Sequence, residues 1–224
     1  MASTVSQRRA AHLLGIDKKT VVRYFRFIAA ECKKREKERV YHYRSRPLKK
    51  IQFDDLETLE HTKLKPLSVA LAVDPNTRKI IDFQVSRMPA KGLLAKKSVH
   101  KYGIRKDERK RGWNRLLKNL LPLVATDAEF LSDQNPHYPQ VLKKHFPWAK
   151  HETTPGARGA VTGQGELKKL AFDPLFALNH TCAMMRANMS RLLRRTWCTT
   201  KKIQGLEDHL AIYVDYHNRI LTPG

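Results

Sequence analysis

Two aspartates, Asp54 in KKIQFDDL and Asp133 in AEFLSDQNPHYP, close runs of strand-forming residues in a chain that is otherwise strongly basic. Lys and Arg number 44 against 21 Asp and Glu, so the formal charge is +23 and the pI about 10.2. A surface of that sign suits a polyanion, and bare carboxylates on it would repel phosphates. A carboxylate that holds a divalent cation reverses the repulsion and brings chemistry with it. Phosphoryl transfer on nucleic acid is commonly run by two Mg²⁺ ions about 3.5–4 Å apart, one activating the attacking oxygen and the other stabilising the leaving one. Such hard cations take oxygen ligands, so carboxylates or amides must converge on them from separate elements. Asp55, next to Asp54, points to the opposite face of a strand and is its alternative. Asp127, six residues before Asp133, competes with it, with a surface or capping role as the simpler reading.

The elements that must position these acids follow from periodicity. Within residues 5–36, VSQRRAAHLLG reads as a short helix stopped by Gly15. KKTVVRYFRFIAAECKKREKE then reads as a second helix, with Val21, Tyr24, Phe25 and Ile28 at helical spacing. Residues 37–48 read as a basic linker, or as a helix tail followed by extended chain. Residues 49–224 make the main domain. KKIQFDDL is a first strand, and PLSVALAVD and KIIDFQVSRM form a β-hairpin across Asp74-Pro75-Asn76-Thr77. A basic stretch (residues 89–112) precedes a helix around GWNRLLKNLLPLV. AEFLSD is a short strand, YPQVLKKHF a helix and WAKHETT a further strand. TPGARGAVTGQGE carries no periodicity and reads as a loop. Two helices close the chain, DPLFALNHTCAMMRANMSRLLRRTW and LEDHLAIYVDYHNRI. The expected class is mixed α/β, whose ligand sites lie at strand ends.

Composition narrows the rest. A hydrophobic content of 41% fits a globular chain and excludes wholesale disorder. No apolar run reaches the roughly 20 residues of a membrane span, and the first residues have no secretory apolar core. Cys32, Cys182 and Cys198 form neither a CxxC pair nor a disulfide framework, so reduced thiols and a cytoplasmic, nucleoid-associated location are expected.

The short helix, Gly turn and second helix, with AHLLGI followed by TVVR, resemble a bacterial helix-turn-helix. By that likeness Lys18, Lys19, Thr20 and Arg23 face DNA. Taken with FDDLET, the hairpin, SDQNPHYP and LNHTCAMMRANMSRLLRRTWCTTK, the chain resembles bacterial insertion-sequence transposases of the DDE type along nearly its whole length. The resemblance implies an RNase H-like catalytic domain, with Asp54 as first metal ligand and Asp133 as second. The third position departs from the family pattern. The family has Glu seven residues before a Lys or Arg on the late helix, whereas here Asn179 stands seven before Arg186. An amide oxygen can ligate Mg²⁺ but brings no charge. Asp173, which is also a natural N-cap before Pro174, and Glu166 in the Gly-rich loop are the alternatives.

Arg191, Arg194 and Arg195 recur at helical spacing and, with Arg186, read as DNA contacts or a solvated face, as does the run Arg105 to Arg115. His137 and Tyr138 line the site or pack on the sheet, and His180 touches DNA or is a plain helix-face residue. Trp113, Trp148 and Trp197 read as core or interface aromatics. The resemblance implies metal-dependent DNA strand cleavage and transfer with two Mg²⁺ or Mn²⁺ ions. Double-stranded DNA and a second copy of the chain are the expected partners. Relatives often carry more DNA-binding sequence in front, so a shortened, catalytically degenerate DNA-binding descendant is the rival expectation.

Overall fold

The computed structural model describes residues 2–155, 173–192 and 199–222. Its centre is a five-stranded mixed sheet in the order β3-β2-β1-β4-β5. The strands are β1 (Leu48–Glu60), β2 (Thr62–Val73), β3 (Ile80–Arg87), β4 (Val124–Asp133) and β5 (Lys150–Thr154). β1 pairs antiparallel with β2, and β2 with β3, while β4 runs parallel to β1 and β5 parallel to β4. The β2–β3 turn is built by Asp74, whose Oδ1 accepts from the Asn76 amide at 2.9 Å and whose Oδ2 accepts from the Thr77 hydroxyl at 2.8 Å. This self-bonding is what Asp brings to a turn.

Helices cover both faces. On one, α5 (Arg109–Leu120) and α6 (Tyr138–His145) pack Trp113, Leu116, Tyr138 and Leu142 against Ile51, Phe53, Ala72 and Phe130. On the other, α7 (Phe176–Asn188) and α8 (Ile203–Tyr216) set Leu178, Met185, Leu206 and Leu210 against Leu56, Leu67, Val69 and Leu71. Period-two alternation along β1 therefore sends Phe53 and Asp55 toward α5 and Asp54 and Leu56 toward α7. Gly112 lets α5 approach β3 closely, since a Cβ there would overlap the Ser86 hydroxyl.

The N-terminal helices are α1 (Gln7–Leu14) and α2 (Lys18–Val40). Gly15, at φ 61°, supplies the left-handed cap between them, and the Gly15 and Ile16 amides donate to His12 and Ala11 carbonyls. α2 runs on past residue 36 to Val40, and a short helix, α3 (His42–Ser45), then leads into β1. α2 buries Val21, Phe25, Ala29 and Cys32, leaving Tyr24 and Ile28 exposed instead of in the expected stripe. It is tied to α8 by Lys33–Asp208 at 2.7 Å and Arg35–Asp215 at 3.0 Å, with Phe25 edge-on to His209. α1 buries none of its residues.

Three further expectations are corrected. Residues 89–112 contain a helix, α4 (Leu94–Tyr102), which a run of surface cations had concealed. The helix expected to run to Trp197 ends at Asn188, where Met189 turns to extended backbone. β4 starts at Val124, several residues before AEFLSD, because pairing with β1 begins at Leu48–Val124. No described helix is long and apolar enough to cross a membrane.

Candidate metal site and cleft

β1 and β4 carry the two aspartates to one place. The last parallel pair in their register is Gln52–Leu131, and two residues further the same step sets Asp54 level with Asp133. The Asp133 charge reaches Asp54 and adds to the pressure on its carboxyl to stay protonated. β1 continues to Glu60 beside β2, whereas β4 stops at Asp133, so the acids sit where β1 loses one neighbour. The stop is local: Asp133 Oδ1 accepts from the Asn135 amide at 3.0 Å, and Asn135 Oδ1 accepts from the His137 amide at 3.2 Å. Two successive side-chain turns thus break the strand and lead into α6.

Asp54 is half-buried and its orientation is fixed. Its Oδ1 accepts both the Asp55 amide at 2.7 Å and the Tyr138 hydroxyl at 2.9 Å. Burial pushes the carboxyl up to about 6, against the opposing pull of these two donors. The Tyr138 phenol, buried and facing Asp55 and Asp54, holds its proton far above the ordinary range. It therefore serves the carboxylate as a permanent donor. Tyr138 also packs on Phe53 and Trp113, the packing role expected for it.

Asp55 faces the opposite way. Its Oδ1 accepts from the Ser68 hydroxyl and its Oδ2 from Trp113 Nε1 at 3.1 Å, while burial raises its carboxyl. Asp127 is exposed in the first half of β4, six residues before Asp133 and 4.0 Å from Lys49.

Across from Asp54 lies α7, anchored by Gln52. The Gln52 side chain donates to the Pro174 carbonyl at 2.8 Å and accepts from the Leu178 amide at 2.9 Å. Cys182, on that helix, feels the Asp54 charge after burial, the larger cause, and is pushed up to about 12. Asn179 and Arg186 flank Cys182 at helical spacing of three and four, on the same stripe. Asn179 is exposed, and its amide nitrogen donates to Asp173 Oδ2 at 2.9 Å. Asp173 Oδ1 accepts from the Leu175 amide at 2.9 Å, a capping bond at the start of α7. The two third-ligand candidates are thus bonded to each other. Glu166, Arg194, Arg195, Trp197 and Cys198 lie outside the described residues. Among the described residues, no three His, Cys, Asp or Glu side chains group closely enough to hold a metal ion. What converges is a pair of carboxylates, Asp54 and Asp133, hard oxygen donors of the kind Mg²⁺ takes.

The cleft beside Asp133, about 510 Å³, is lined by Lys91, Arg109, Gln134, Asn135 and His137. Lys91 pairs with Glu57 at 2.7 Å, and Arg109 forks onto Asp107, with its closest contact at 2.6 Å. The other expected DNA contacts divide. Lys18, Lys19 and Arg23 are exposed on the first turns of α2, with Thr20 half-buried, and Arg186 is half-buried on α7. Arg191 turns inward, toward Thr200 at 3.4 Å and with Gly205 beside it; burial disfavours its charge. Arg105 is structural too, bound to Glu60 at 2.9 Å and to the Met88 carbonyl at 3.1 Å. His180 lies near enough to His217 to act on its charge.

Sequence reasoning missed Lys91 and the Tyr138–Asp54 bond, each of which joins residues far apart in the chain. The spacing 179, 182, 186 was a readable signal for Cys182. No known family model matches the chain, and no curated protein matches it.

Proposed function

We propose that the protein is a metal-dependent phosphoryl-transferase acting on DNA, a DDE-type transposase with Asn at the third position. The observation that carries this reading is the convergence of Asp54 and Asp133 from adjacent parallel strands in a chain of charge +23. The sheet order β3-β2-β1-β4-β5, with only its first three strands antiparallel, is the arrangement an RNase H-like domain requires and supports the same reading. Asp54, Asp133 and the Asn179 amide oxygen would hold two Mg²⁺ or Mn²⁺ ions. When bound, these supply Lewis-acid stabilisation of the attacking and leaving oxygens.

The chain's own groups do the rest. Tyr138 and the Asp55 amide fix Asp54 through Oδ1. Lys91, Arg109 and His137 border the cleft that would take the phosphates. Water and then a DNA 3′-hydroxyl are the nucleophiles, so no covalent protein–DNA link forms. α1 and the start of α2 would recognise the element's end as a helix-turn-helix, and two copies of the chain would hold two ends.

The test is cleavage of labelled terminal-repeat DNA with Mg²⁺ or Mn²⁺ by wild type, Asp54→Ala and Asp133→Ala. Metal-dependent cleavage lost in both variants is expected. Binding without cleavage by the wild type would favour the second reading, a catalytically degenerate DNA-binding protein. That reading is supported by the exposed, uncharged Asn179, already bonded to Asp173.

A further inference from the structure

A second cavity, of about 360 Å³, opens on the α5–α6 side of the sheet, where Asp55 rather than Asp54 points. It shares Arg109, Asn135 and His137 with the cleft beside Asp133, so the two are continuous around the end of β4. Its lining is mixed: Asp55 and Asp107 stand with Arg109 and Lys110, and Trp113 and Val141 form an apolar side. The remaining lining includes the amides of Asn135 and Gln140. An apolar wall with a few convergent donors and acceptors is the usual make-up of a small-molecule pocket, and this volume lies at the small end of that range.

Resting on the phosphoryl-transfer reading, we propose that this cavity is a subsite for one unstacked nucleobase of the strand whose phosphate lies in the Asp133 cleft. The shared rim of Arg109, Asn135 and His137 is where the connecting sugar and phosphate would cross. The base would lie against the Trp113–Val141 wall, with its edge toward Asp55 and Gln140. Asp55 also gives the base edge a partner. Its Oδ1 already accepts from Ser68 and its Oδ2 from Trp113, and each carboxylate oxygen has a lone pair for one more donor. An acceptor of that kind takes a donor from the base edge, the exocyclic amino group of adenine, cytosine or guanine or the ring N3–H of thymine.

The experiment titrates the full chain, by isothermal calorimetry, with dAMP, dCMP, dGMP, dTMP and 2-deoxyribose 5-phosphate. A base held against the apolar side of the cavity, with a donor to Asp55, is expected to make at least one nucleotide bind about tenfold more tightly than the bare sugar phosphate. Gln140→Phe, on an exposed helical position, fills the cavity and should erase that preference while sugar phosphate binding stays within about twofold. Equal binding of nucleotides and sugar phosphate overturns the subsite, as does a preference that survives Gln140→Phe or no nucleotide binding at millimolar concentration. Metal-dependent DNA cleavage is scored on the same preparations. Cleavage without base preference overturns the subsite alone, and base preference without cleavage overturns the phosphoryl-transfer reading alone.

Discussion

Replacing Asp54 with Asn should make the metal-free protein more stable while removing its chemistry. In the fold, burial holds the Asp54 proton until about pH 6, against 3.8 for an unhindered aspartate. Between those values the folded chain keeps the proton and the unfolded chain releases it, so stability falls as pH rises. The loss is complete above about pH 6 and absent below about pH 4. A difference of roughly two pH units corresponds to about 3 kcal/mol at pH 8. Asp54→Asn keeps an oxygen to accept from Tyr138 and the Asp55 amide, and presents no charge to Asp133. For a chain of this length about 3 kcal/mol raises Tm by roughly 6–12 °C. Thermal unfolding in EDTA, at pH 8 and again at pH 4, measures it. The gain should appear at pH 8, vanish at pH 4, and shrink when Mg²⁺ is added, because a bound cation stabilises wild type selectively. A variant no more stable than wild type at pH 8, or equally stabilised at both pH values, refutes the reasoning.

Tyr138→Phe removes one of the two donors on Asp54 Oδ1 and should cost about 1 kcal/mol of stability. It should also raise the Mg²⁺ concentration needed for half-maximal cleavage more than it lowers the saturated rate. Asp55→Ala strands the buried Trp113 indole N–H and should cost about 1–3 kcal/mol in urea unfolding. Gly112→Val drives a side chain into Ser86 and should destabilise by about 1–3 kcal/mol, read as a lower Tm. Asp215, though buried, is held below the usual carboxylate range by Arg35 and Arg219, so its contribution is present at neutral pH and lost as pH falls below about 4. Asp215→Asn should therefore loosen α2 from α8 at pH 7, seen as faster amide exchange in α2, with a smaller difference from wild type in acid.

Much of this molecule was legible in its sequence because the signals are local. Val/Leu/Ala-rich β2, the Asp74 turn, the Gly15 stop and the amphipathic α5 and α6 each declare themselves within a dozen residues. The anomaly of carboxylates in a basic chain singled out Asp54 and Asp133 for the same reason: charge is a property of composition. α4 stayed hidden because Lys96, Lys97 and Lys101 continue the basic stretch around it and only Ser98 of that helix is buried. Arg191 looked like a surface cation because helical spacing cannot tell which face has a partner.

What only the tertiary structure decided is how residues distant along the chain meet. The register of β1 on β4 sets Asp54 level with Asp133, and Tyr138, 84 positions from Asp54, supplies its fixed donor. The sheet's two-sidedness sends Asp54 and Asp55 into different environments, one toward the α7 stripe and one into a cavity beneath Trp113. Nothing in the adjacent letters of FDDLET distinguishes the two acids. Burial, neighbouring donors and the strand that ends beside them do, and each of those exists only once the chain has folded.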